Sequence, residues 1–173
     1  MEKITIENME HWVENNYSRC FDKKIYKELV SWFSINYKLD FQFTESKVIL
    51  PGIRIITISG INDEVKNKLI NIINNNDNII ISDNITLENL KNYPKGTVIY
   101  FGEGLDIELL LDLFNQGVIL ETLAFMSSKE KSNELLKHII YASQNIRTYI
   151  IDTYNINNSD QLDIIKSVIN GDI

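Results

Sequence analysis

Apolar residues recur every three or four positions through the first 40 residues, at Met9, Trp12, Val13 and Tyr17 and then at Tyr26, Leu29, Val30, Phe33 and Tyr37. That period places each set on one side of a helix, so the chain opens with two helices. Asp22 stands where the second needs an N-cap. An aromatic stripe at helical spacing packs a core rather than stacking a ligand.

After Pro51-Gly52 the rhythm becomes short β-branched runs separated by helical ones. Five runs of four to seven residues are expected as strands: Arg54 to Ile58, Asn78 to Ser82, Thr97 to Phe101, Val118 to Ala124 and Thr148 to Ile151. Val48 to Leu50 would add an edge strand or a hairpin. Helices are expected over Asn62 to Asn74, Thr86 to Asn92, Asp106 to Asn115, Lys129 to Gln144 and Ser159 to Val168. Their start signals agree: Asn62 precedes Asp63 and Glu64, Thr86 precedes Glu88, and Ser127-Ser128-Lys129-Glu130 fits a capping box.

Strands alternating with helices at this spacing predict an α/β fold. We expect a mostly parallel or mixed sheet of about five strands with helices on both faces. The chain reads as a single domain over 1–173, its helical pair in 1–45 packed on an alternating strand and helix region in 46–173. The unit from Asn78 to Phe101 is so short that its helix has room for a turn or two, and strand order stays open.

With 173 residues the chain can bury about 70% of its unfolded surface, enough for one core. At 44% hydrophobic and 24% charged residues it is globular in composition. The net charge of -7 is unevenly placed: residues 1–58 carry 8 cations and 8 anions, residues 59–173 carry 9 and 16. The 33 residues from 96 to 128 contain no lysine or arginine but hold Glu103, Asp106, Glu108, Asp112 and Glu121. The net charge disfavours nucleic acid, whose binding depends on cations meeting phosphates, and its asymmetry points to a basic partner or a metal. No basic and then apolar stretch opens the chain and no run reaches 18 apolar residues, so a cytoplasmic protein outside the membrane is expected. Cys20 is the only cysteine, which excludes an internal disulfide and a paired-cysteine zinc site; it reads as core filler.

In an open α/β sheet, ligands bind at the carboxyl ends of the strands. Ser59, Gly60, Asp83, Gly102, Glu103, Gly104, Asp106 and Asp152 fall there. Asp83, Glu103, Asp106 and Asp152 could offer magnesium its hard oxygen ligands, although acids also collect at such junctions as helix caps. Gly102-Glu103-Gly104 begins like a dinucleotide turn, but the third glycine would fall at Ile107 and the acids would repel a pyrophosphate. His11 and His138 fall opposite the apolar stripes of their helices and read as solvated. No nucleophile elbow or zinc spacing occurs.

Glu108, Asp112 and Asn115 share a face of the helix expected over Asp106 to Asn115, while Leu105, Ile107, Leu109, Leu110, Leu111, Leu113 and Phe114 cover most of the rest. The Glu108–Asp112 repulsion, a few tenths of a kcal/mol in an isolated helix, is a local conflict of the kind that function explains. In size, acidity and lack of catalytic motifs the chain resembles the small immunity proteins that neutralise secreted bacterial toxins. That resemblance covers charge and length. It implies a toxin nuclease or similar basic protein as partner, contacted by Glu103, Asp106, Glu108 and Asp112, with no catalytic residue and no cofactor. The alternative is a small enzyme or regulatory domain holding a metal or small polar ligand at its strand ends.

Overall fold

A computed structural model of the chain describes residues 5–36, 52–93, 96–102, 109, 112–114, 116–126, 132–153 and 156–172. The two expected amino-terminal helices are α1 (Ile6–Asn15) and α2 (Lys23–Asn36). A 3-10 turn over Tyr17–Phe21 joins them and takes Tyr17 out of the first helix. The Thr5 hydroxyl accepts from the Asn8 amide at 3.2 Å. The Asp22 carboxylate accepts from the Lys24 and Ile25 amides at 2.9 and 3.2 Å, which satisfies the orphan donors of α2 as the sequence implied.

The alternating region forms β1 (Ile53–Ser59), α3 (Asp63–Ile73), β2 (Ile79–Ser82), α4 (Leu87–Lys91), β3 (Gly96–Phe101), β4 (Ile119–Met126), α5 (Ser132–Ser143), β5 (Arg147–Asp152) and α6 (Asn158–Asn170). Asn62 and Thr86 cap α3 and α4 through their side chains, as expected. The described strands form one all-parallel sheet in the order β2-β3-β1-β4-β5. The chain thus leaves central β1 for the far edge, returns to β3, and then passes over β1 to β4. Val48 to Leu50, Ser127 to Lys131 and most of the helix expected over Asp106 to Asn115 lie outside the described residues.

Neighbours on β1 join different apolar clusters because successive side chains point to opposite faces. Ile53 and Ile55 pack with Val98, Leu120, Leu90 of α4, Leu113 and Tyr141. Ile56 and Ile58 pack with Ile99, Leu123, Phe125, Val65 and Leu69 of α3, and Ile165 and Val168 of α6. A third cluster joins Ala124, Met126, Leu135, Leu136 and Ile139 to Met9, Val13, Cys20, Leu29 and Phe33. The amino-terminal helices therefore dock on α5.

His138 is a correction to the sequence reading: expected in solvent, it is 1% exposed. Besides the face at Leu135, Leu136 and Ile139, α5 buries a second at Tyr141, which packs with Leu113, Val118 and Leu120. Its Nδ1 lies 2.8 Å from the Glu134 carbonyl, and its ring meets Tyr141 edge-on at 5.5 Å. Burial holds its pKa below the usual histidine value. Cys20 is the core filler expected of it, its thiol pushed up to about 11 by burial. No helix among the described residues is long and apolar enough to cross a membrane.

Candidate functional site

Two places compete: the carboxyl ends of the strands, where an α/β sheet usually binds ligands, and a groove at the amino ends of β4 and β5.

At the carboxyl ends the structure separates the acids that the sequence grouped. Asp83 follows β2 and Asp152 ends β5, which are opposite edges of the sheet. Four strand spacings put them about 19 Å apart, far beyond the reach of one metal ion. Glu103 and Asp106 lie outside the described residues, and among those described no group of three His, Cys, Asp or Glu could hold a metal. Asp152 instead lies near Tyr17, whose phenol is pushed up to about 12 by burial, then by Asp152 and Glu134.

The glycines there have structural work. Gly60 has φ +80, and a Cβ on it would stand 1.9 Å from the Phe125 carbonyl oxygen, so only glycine lets the end of β1 lie against β4. The Gly102 amide donates to the Ile58 carbonyl at 3.0 Å and is not free to cradle a phosphate. Ser59 is 6% exposed, and its hydroxyl has no partner among the described residues.

At the amino ends, β4 carries the one acid in its apolar run, Glu121, which is 2% exposed. In register it faces Arg147 of β5 and Ile56 of β1, and Arg54 stands two residues before Ile56. Arg54 Nε donates to Glu121 Oε2, and Arg147 donates to Oε1 at 3.2 Å. Arg54 also donates to the Ile169 carbonyl at 2.6 Å and to that of Val168, at the carboxyl end of α6, where the helix dipole favours a cation. The sequence grouped Glu121 with the other acids of the segment free of cations; the structure neutralises it inside the protein.

Beside this triad lies a groove of about 530 Å³ lined by residues 114, 117–121 and 145–147. Two helices end at its rim in the same way. Val118 N–H reaches the Leu113 carbonyl and Gly117 N–H that of Phe114, with Gly117 at φ +82. Ile146 N–H reaches the Tyr141 carbonyl and Asn145 N–H that of Ala142, with Asn145 at φ 66. Both are Schellman ends, closed by residues that tolerate the left-handed conformation.

Asp112, the one member of the predicted acidic set among the described residues, sits in the last helical turn before Gly117. Leu113 is fully buried in the core, while Asp112 and Phe114, one position to either side, are exposed. At about 100° per residue they lie on opposite sides of the buried ridge, so this helix anchors the sheet through Leu113 and turns Phe114, and not Asp112, toward the groove. Phe114 is 46% exposed and Ile119 58% exposed, two of the most exposed large apolar side chains described. The sequence reading missed Ile119 and the arginines; a lone Glu inside Val118 to Ala124 was the signal that a buried cation had to be nearby.

No family model, curated protein or solved structure matches the chain.

Proposed function

We propose that this is a protein-binding domain whose contact face is the helix end at Asp112 to Phe114 and the adjoining groove, and whose partner is basic. The observation that carries the reading is the exposure of Phe114 and Ile119 at the groove, on a backbone fixed by buried Leu113, Val118 and Leu120. An acidic surface steers a cationic partner to the face, and the apolar pair supplies area to bury on contact. An inhibitor or immunity protein for a toxin nuclease is one protein of this kind. Tagged wild-type chain and a variant carrying Asp112→Lys with Phe114→Asp should be compared as baits in native extract. The reading expects one stoichiometric basic protein held by the wild type, weakened by salt and lost from the variant; identical captures by both would end it.

A second reading has one observation in its favour: the buried Ser59 hydroxyl at the carboxyl end of the central strand, which has no partner among the described residues. It describes a regulatory domain or small enzyme holding a small polar ligand there. A ligand that raises the melting temperature of the wild type and not of Ser59→Ala would support it. The absence of any such ligand in a screen of nucleotides, magnesium and small polar metabolites would remove it.

A further inference from the structure

We infer that the outer edge of β5 pairs with the same edge of a second copy of the chain, antiparallel about a two-fold axis at Ile150, so that the two sheets become one. β5 closes the sheet on one side. Its ladder to β4 is parallel, and the Thr153 N–H donates to the Met126 carbonyl. Odd-numbered residues therefore turn their backbone groups to β4, while Thr148, Ile150 and Asp152 turn theirs outward. Among the described residues nothing bonds to the backbone of Thr148 or Ile150 on that outer side. A groove of about 300 Å³ follows the edge there, between residues 148–151 and a wall of Phe21, Lys23 and Tyr26.

Proteins blunt open edges with short strands, lysine, proline or a bulge. β2, on the other side of the sheet, has only four residues. β5 has six, pairs with β4 without a bulge, and carries Thr148-Tyr149-Ile150-Ile151 at its centre, with neither charge nor proline. The occupant follows from register and charge. All three outward residues find partners when Ile150 faces itself, which sets Thr148 opposite Asp152, Tyr149 opposite Ile151 and Arg147 opposite Thr153. Tyr149 and Ile151 then make an aromatic and β-branched cross-strand pair twice. Asp152 is on the same face of β5 as Ile150, which packs with Phe21 and Tyr26. Exposed Asp152 of one copy thus enters the groove that exposed Lys23 of the other lines, and the two-fold repeats the exchange. A basic strand would instead set its cation against Lys23, so this edge is a separate surface from the face proposed for a basic partner at Phe114 and Ile119. The net charge of -7 opposes self-association, but screening within about 8 Å at physiological ionic strength leaves the contact to local charges.

The experiment follows the full chain by sedimentation velocity from micromolar to millimolar concentration, with residue-resolved amide exchange at both ends of that range. The mass should rise from 20.1 kDa toward twice that value. The Thr148 and Ile150 amides should slow in step with it, while those of Tyr149 and Ile151, bonded to β4, stay slow throughout. Thr148→Pro removes an outward N–H and spares the β4 ladder; two lost hydrogen bonds, one per copy, should raise the dissociation constant about tenfold or more. Lys23→Glu and Asp152→Lys, both at exposed positions, should each raise it about fivefold, and the two combined should restore it. A chain that stays monomeric through millimolar concentration would overturn the inference. So would a dimer that Thr148→Pro and the two charge reversals leave unchanged, or Thr148 and Ile150 amides that exchange equally fast at both concentrations. Slowing of those amides only when a different protein is added would also overturn it, and would assign the edge to that protein.

Discussion

Replacing Glu121 is the sharpest perturbation of the structure. Its carboxylate is buried between two arginines of unequal exposure, 20% for Arg54 and 63% for Arg147. The exposed bridge is screened and contributes at most about 1 kcal/mol. The buried one behaves differently: removing one partner leaves an uncompensated charge and costs about 3–5 kcal/mol. Arg54 keeps its bonds to the Val168 and Ile169 carbonyls when Glu121 is neutralised, so we expect the lower end, about 3 kcal/mol, for Glu121→Gln. Arg54→Met should cost as much and also loosen the last turn of α6, visible as faster amide exchange from Val168 to Asp172. Arg147→Met should cost under about 1 kcal/mol. Combining Arg54→Met with Glu121→Leu should recover much of the loss, because an apolar pair needs no desolvation of charge. Urea unfolding followed by circular dichroism, with an unchanged dependence on denaturant, gives each value. A Glu121→Gln loss below about 0.5 kcal/mol, or a double variant less stable than Arg54→Met alone, would refute the reasoning.

Three further outcomes follow from the packing. Phe33→Ala removes a fully buried ring from the contact of α2 with α5 and should cost about 3–5 kcal/mol in the same unfolding assay. Gly60→Ala forces a methyl group onto the Phe125 carbonyl and should unfold the chain or lower its melting temperature by more than 10 °C, at about 2–4 °C per kcal/mol for a domain of this length. His138 is held neutral by burial, so its folded pKa lies below the unfolded value of 6.5. The unfolded chain takes up the proton first; stability is full above about pH 6.5, falls as pH drops toward the folded pKa, and levels off below it. Subtracting the stability profile of His138→Gln from that of the wild type should leave this sloping segment, and a flat difference would contradict it.

The elements were legible because their causes are local. β-branched runs such as Ile53 to Ile58 and the caps at Asp22, Asn62 and Thr86 act within a few residues, and the structure realises each. Strand order was not legible, because two crossovers skip a strand and hydrophobic period carries no record of that. His138 was misread for a related reason: the helical period of α5 shows one apolar stripe, whereas a second face at Tyr141, against which His138 packs, joins the core with Leu113 and Leu120 from other elements. The arginine pair on Glu121 comes from positions 67 and 26 residues away, beyond any spacing rule, although an acid inside a strand of Val, Ile and Leu signalled that such partners must exist. Of the acidic binding set only Asp112 lies among the described residues; it is exposed and does not line the groove, which the sequence did not show.

Hydrogen exchange of the chain alone and with its captured partner tests the central claim most directly. The account predicts added protection from Asp112 through Glu121 and from Asn145 through Arg147, with the carboxyl ends of the strands unchanged. Protection confined to the carboxyl ends, around Ser59, Asp83 and Asp152, would contradict it and move the functional site to the other end of the sheet.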